Sequence, residues 1–194
     1  IIYQDDASNY PIPPAEQRQR FAECLADFVR VIHDISGADV KVYRASEAKD
    51  HPLANTIQIG PTPAAVQAGL VKKVSGMKPH TLMIRGDAKK QVLYLLGSTL
   101  EGSGHAIYQF LETQGCRWFY PGPEGEELPS MPTMKLSTFE MVKTPEFEYR
   151  AIALTSTNQH AKKDAAAKKE FADWMRRNKF GGWAPPRGHS FPSI

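Results

Sequence analysis

The chain has 194 residues, 41% of them hydrophobic and 23% charged, with 24 basic against 21 acidic side chains and a formal net charge of +3. This is the composition of a folded globular protein, and the charge is too small and too dispersed to argue for a nucleic-acid partner. No stretch approaches the ~20 apolar residues of a membrane span. The two cysteines, Cys24 and Cys116, make no Cys-x-x-Cys pair of the kind that binds metal or exchanges electrons.

In chain order, Ile1 to Tyr3 is short and apolar and reads as a first strand or its tail. Asp5 to Pro14 reads as a loop, with Pro14 suited to the first turn of a helix. From there Phe21, Leu25, Phe28, Val29, Ile32 and Ile35 recur at helical spacing. They predict an amphipathic helix with Arg18, Arg20, Glu23, Asp27 and Arg30 mostly outside the apolar stripe and Gly37 as its stop. Val40-Lys41-Val42 and Thr56-Ile57-Gln58-Ile59 alternate as strands do, and Gly60-Pro61 ends the second. Thr62 and Pro63 fit the N-cap and first position of a short helix reaching about Leu70. Residues 71–80 read as a loop. Thr81 to Arg85 and Gln91 to Leu96 are predicted hairpin partners around Gly86-Asp87-Ala88.

The run Val92-Leu93-Tyr94-Leu95-Leu96 is the densest apolar stretch, and without a polar interruption it predicts a strand buried on both faces. Gly97 ends it. Ile107, Phe110 and Leu111 then mark a helix that Gly115 stops. Glu124 to Pro132 is read as an exposed loop, and Met134 to Phe139 as a final strand. The order strand, helix, strand, strand, helix, strand, strand, helix predicts an α+β domain, a mixed sheet with helices on one face. Lys143-Thr144-Pro145 is the candidate domain boundary. Beyond it, Phe171, Trp174 and Met175 place an amphipathic helix over Ala165 to Lys179, which Gly181-Gly182 ends. The chain opens on Ile1 rather than Met and closes at Ile194 in a loop-like stretch, and it is read as a processed or internal piece of a longer protein.

One run stands out: Gly97-Ser98 and Gly102, then Ala106-Ile107-Tyr108, Phe110-Leu111-Glu112 and Gly115-Cys116-Arg117-Trp118-Phe119, then Pro121-Gly122. It resembles the small α+β domain that precedes the catalytic barrel in several glycoside hydrolases. These are the family 20 hexosaminidases, the family 67 α-glucuronidases and bacterial proteins carrying a domain of unknown function numbered 4838. The last group is most similar, through its Gly-Cys-Arg-Trp-(Phe/Tyr)-x-Pro-Gly signature. The resemblance implies a hexosaminidase domain-2-like accessory domain over residues 1–142. Residues 143–194 would then begin a (β/α)8 barrel, since Pro145-Glu146-Phe147-Glu148-Tyr149-Arg150 is similar to the segment leading into the first barrel strand. A complete barrel takes ~250 residues. The chain is therefore expected to be the non-catalytic N-terminal portion of an exported glycoside hydrolase, periplasmic or extracellular, with carbohydrate as its partner through the barrel part and no cofactor. A structural or carbohydrate-binding module without activity is the alternative.

Glycoside hydrolysis usually needs two carboxylates, which the resembled enzymes carry on middle barrel strands, so no catalytic residue is expected here. Glu124, Glu126 and Glu127 are read as solvated loop charges, and Glu146 and Glu148 likewise. Arg150 is the first binding candidate. The resemblance places it where family 20 enzymes have an arginine on sugar hydroxyls, a role suited to a planar donor array. An interface arginine paired with Glu146 or another acid is the equal alternative. His189, in Gly188-His189-Ser190-Phe191, is the second, since the resemblance implies a turn facing a sugar pocket; a plain loop histidine is the other reading. Arg187 and Trp183 are weaker candidates of the same kind. His33, His51, His80, His105 and His160 lack metal-ligand spacing, and no metal site is expected. Arg117 and Trp118 are read as structural, the indole N–H meeting a backbone acceptor, with a surface aromatic that binds carbohydrate as the alternative. Gly97, Gly102 and Gly104 do not match a phosphate-binding loop, nor Ser98 and Ser103 a nucleophile elbow. Cys24 and Cys116 are read as buried free thiols.

Overall fold

The computed structural model describes residues 1–4, 15–48, 50–152 and 164–181. Its elements in chain order are β1 (Ile2–Tyr3), α1 (Ala15–Ser36), β2 (Tyr43–Arg44), β3 (Thr56–Ile59), α2 (Pro63–Gln67) and α3 (Leu70–Ser75). There follow β4 (Leu82–Asp87), β5 (Val92–Gly97), α4 (Leu100–Thr113), β6 (Arg117–Trp118), a 3-10 turn (Pro123–Gly125), β7 (Glu126–Glu127), β8 (Phe139–Lys143) and α5 (Ala165–Arg177). Six strands form one mixed sheet in the order β2-β1-β3-β5-β4-β8. The pairs β2–β1, β1–β3 and β3–β5 are parallel, whereas β4 runs antiparallel to both β5 and β8. A parallel pair needs a crossover, and α1 supplies it between β1 and β2. β6 and β7 form a separate two-stranded ribbon.

Strand β5 is buried from end to end, and both faces of the sheet are covered around it. Leu93 and Leu95 join Ile59, Leu82 and Ile84 against α1 and α4. Their alternate neighbours Val92, Tyr94 and Leu96 join Met83 against Ala65, Leu70 and Val74 of α2 and α3. This corrects the expectation of helices on one face. An uninterrupted apolar strand presents side chains to both sides, so each side needs a cover. The second cover is α3, which falls where the sequence reads as loop, because Lys72 and Lys73 interrupt its short apolar pattern. Gly69, at φ 73°, separates it from α2.

Helix α1 buries Phe21, Leu25, Phe28, Ile32 and Ile35 as its spacing predicts, together with Cys24, Asp27 and Val31. Phe28 meets Phe110 of α4 edge-on, with ring centroids 6.2 Å apart. Helix α4 is buried at every position from Gly102 to Leu111. Its start is fixed by Thr99, whose hydroxyl accepts from Gly102 N at 3.0 Å, and by a close approach of backbones. A Cβ on Gly97 would lie 2.6 Å from both Gly102 Cα and Ser103 N. The glycines of this run therefore serve helix-on-strand contact. Gly115, at φ 100°, takes the left-handed turn after α4.

Two strands lie off their expected places. β2 begins at Tyr43 rather than Val40, with Tyr43 and Arg44 opposite Ile2 and Tyr3 of β1. β8 begins where the expected strand ends, with Phe139 opposite Gly86. A Cβ on Gly86 would lie 2.8 Å from the Phe139 ring, so the bare glycine sets that register. Of the expected barrel, the described residues contain α5 and one antiparallel bridge, Arg150 to Gly181. Ala153 and Leu154 of the expected barrel strand lie outside the described residues. Among the described residues no helix is long and apolar enough to cross a membrane.

Gly97→Ala is expected to lower global stability by about 1–3 kcal/mol through overpacking at the β5–α4 contact. Gly76→Ala, with nothing within 4 Å of its added methyl, is expected to stay within about 0.5 kcal/mol. Urea denaturation of the two variants beside the parent checks the contrast.

Candidate functional site

Helix α5 begins at Asp164, whose side chain accepts from Ala166 N at 2.8 Å, and continues through strong helix formers. No residue of α5 is buried. Its hold on the rest of the protein is mostly polar and centres on Asp27. This carboxylate sits within the buried stripe of α1, its side chain 7% exposed. Arg177 binds it through both oxygens, Nε to Oδ2 at 2.8 Å and Nη2 to Oδ1 at 2.9 Å. Arg30 donates to Oδ1 at 2.9 Å and Tyr108 of α4 to Oδ2 at 3.1 Å. Glu126 extends the cluster, accepting from Arg30 at 2.7 Å and from Arg177 at 3.4 Å. Arg176 donates to the Tyr108 hydroxyl at 3.1 Å and to Glu23 at 2.7 Å.

Burial alone pushes the Asp27 carboxyl up, but the Arg177 and Arg30 guanidinium groups outweigh it and hold the group below its ordinary value. Burial pushes the Tyr108 hydroxyl well above its usual range, so it stays a protonated donor. Burial likewise raises the Cys24 thiol to about 12 and Cys116 to about 11. Both are buried free thiols, as expected, and neither is poised as a nucleophile.

The signature residues lie beside this cluster. Trp118 packs edge-on against Tyr108 at 5.7 Å and lies under the Arg177 guanidinium at 5.9 Å. Among the described residues its own indole N–H has no acceptor, so the expected backbone bond is not found there. Its carbonyl does the work instead, accepting from Trp174 Nε1 at 3.1 Å and Asn178 Nδ2 at 3.0 Å. Arg117 donates to the carbonyls of Glu112 and Cys116, both at 2.7 Å, and so closes the end of α4. Glu126, expected to be solvated, is 12% exposed and ion-paired. Asp27 is likewise on the buried side of α1 rather than outside its stripe.

A cavity of about 310 Å³ lies between α1, α4, α5 and the segment at Arg150. Phe21, Leu100, Met175 and Phe180 line its apolar part, and Arg20, Glu23, Glu101, His105, Arg150 and Arg176 its polar part. The backbone of Arg150 exchanges two bonds with Gly181, at 2.8 and 2.9 Å. Its guanidinium donates to carbonyls: Nε to Lys179 at 3.1 Å, and Nη1 to Phe147 at 2.7 Å and Glu148 at 3.3 Å. Among the described residues no ion pair joins it to Glu146 or another acid. Glu101 faces it across the cavity wall and also lies 3.3 Å from His80 Nδ1 and 4.0 Å from His105 Nε2. Both histidines come near this one acid, a proximity that their spacing in the sequence does not show. Burial, with Arg150 and His80 adding to it, lowers His105 to about 3, so its ring is neutral at neutral pH. Among the described residues no His, Cys, Asp and Glu cluster fits a metal ion.

Arg150 is thus placed at a cavity. His189, Arg187 and Trp183 lie outside the described residues. Asp27 carried a legible signal: it stands three after Cys24 and four before Val31, on the buried stripe by helical arithmetic. Glu126, Arg176 and Arg177 carried none, because their partners are distant in sequence. No protein-family model matches the chain, and no curated protein matches it.

Asp27→Asn is expected to lower stability at pH 7 by about 2 kcal/mol, the range for hydrogen bonds to a charged group. A depressed carboxylate stabilises above its unfolded value of about 3.9, and the contribution is lost as pH falls through the folded value. The parent and Asp27→Asn stabilities should therefore converge as pH falls through the depressed folded value, which lies below 3.8. Denaturation curves over that pH series check both statements.

Proposed function

We propose that the chain is the non-catalytic portion of a carbohydrate-active enzyme, a glycoside hydrolase on the reading that the signature run supports. Residues 1–142 are its α+β accessory domain and residues from 143 the start of its barrel, exported to the periplasm or beyond. The observation that carries the reading is the placement of Arg150. It lines a cavity of about 310 Å³ and spends its bonds on carbonyls, so its charge is not consumed by an ion pair among the described residues. Small-ligand sites combine apolar walls with a few convergent polar groups. Arginine and histidine donors, glutamate acceptors and the Phe21 and Phe180 rings offer a polyhydroxylated ring both kinds of contact. Of the two acids lining the cavity, Glu23 is held by Arg176, which leaves Glu101 as a single carboxylate where glycoside hydrolysis usually needs two. That favours binding over general acid–base work.

A second reading, a scaffold without ligand, is favoured by the Asp27 cluster, which spends the signature region on seating α5. Calorimetric titration with a panel of mono- and disaccharides distinguishes the two. The binding reading expects heat with at least one sugar and an affinity weakened about tenfold or more, about 1.4 kcal/mol, by Arg150→Ala. No heat with any sugar leaves the scaffold. Turnover of chromogenic glycosides by this chain overturns the non-catalytic assignment.

A further inference from the structure

Three features of α5 set it apart from the other long helices. First, none of its residues is buried, whereas α1 and α4 carry Phe28, Val31, Ile107 and Leu111 with no exposure at all. Second, its anchors are charges. Arg176 and Arg177 reach Glu23, Asp27 and Glu126, and Lys179 pairs with Glu112 of α4. Third, its aromatic side chains stack largely on one another, Phe171 on Trp174 at 5.8 Å and Trp174 on Phe180 at 5.5 Å. Trp174 is the one apolar side chain of the segment that also packs against the main core.

These features have a common energetic consequence. Separating buried ions from their partners one at a time is costly, because each is left desolvated and unpaired. Withdrawing the whole helix is different, since every ion on both sides regains water at once. Arg30 stays behind with Asp27 and Glu126, so the vacated surface keeps a counter-charge. The apolar side chains that the movement re-exposes, Phe171, Trp174, Met175 and Phe180, are only partly buried, so the hydrophobic opposition is smaller than it would be for α1 or α4. Segments with few buried apolar contacts open at free energies well below that of global unfolding.

We propose that residues 164–181 form an electrostatic latch, leaving and rejoining α1 and α4 as a unit while the sheet and its other helices stay folded. Ala172, Met175, Arg176 and Phe180 form one wall of the cavity, so release of the latch opens it. The carbonyl bonds of Arg150 and its bridge to Gly181 connect the same movement to the segment before the latch. The inference stands on packing and charge and does not depend on what the cavity binds.

Hydrogen exchange read by mass spectrometry on the full chain tests it. At low salt, peptides covering 164–181 should be protected but exchange about tenfold or more faster than peptides covering 92–111. Raising NaCl to about 1 M, where charges screen within ~3 Å, should accelerate 164–181 further and leave 92–111 unchanged. Arg177→Met should reproduce the acceleration at low salt. Equal exchange of the two regions under all conditions would show that they open only together and overturn the latch. So would a 164–181 region unprotected at low salt, or one indifferent to both salt and Arg177→Met.

Discussion

The Asp27 carboxylate is the point at which four parts of the chain meet. It belongs to α1, accepts from Tyr108 of α4, shares Arg30 with Glu126 of β7, and receives Arg177 of α5 on both oxygens. A single buried acid with this many donors stays ionised, since burial opposes its charge less than its two guanidinium partners favour it. Removing it would leave Arg177 facing Glu126 alone and Tyr108 without its acceptor. The cavity wall formed by α5 depends on the same group, through Arg177 directly and through Arg176 on Tyr108. The site is thus a consequence of charge placed inside an otherwise apolar stripe.

Beneath that charge lies an ordinary hydrophobic framework. β5 is apolar on both faces, and the fold answers with α1 and α4 on one side and α2 and α3 on the other. The long elements were legible because each carries its own periodicity: Phe21 to Ile35 for α1, Val92 to Leu96 for β5, Ile107 to Leu111 for α4. α3 was not legible, since Leu70 and Val74 are two apolar residues around a lysine pair and declare no period. β8 was displaced for a different reason. Its register is set by the room over Gly86, a property of the partner strand that no local pattern contains.

The site divides in the same way. Arg150 was singled out by resemblance, and its place beside a cavity goes with a bridge to Gly181 that local sequence does not encode. Asp27 was readable by helical arithmetic yet was assigned to the solvent side because it is charged. That inference fails where arginines distant in sequence converge on the acid. Glu126 and Arg177, 51 positions apart, meet only through tertiary folding. His80 and His105 lack any metal-ligand spacing, yet both come to Glu101, because β4 begins beside the first turn of α4. Among the described residues the Trp118 signature residue offers its ring and its carbonyl, and not its N–H.

The bond between Asp27 and Arg177 joins α5 to the core and carries energy of its own. A double-mutant cycle of Asp27→Asn and Arg177→Met, followed by urea denaturation at neutral pH, tests that most directly. A coupling of about 1–2 kcal/mol is expected, with the double variant little worse than either single one. Effects that add to within about 0.5 kcal/mol would mean that the two residues act independently, and would contradict it.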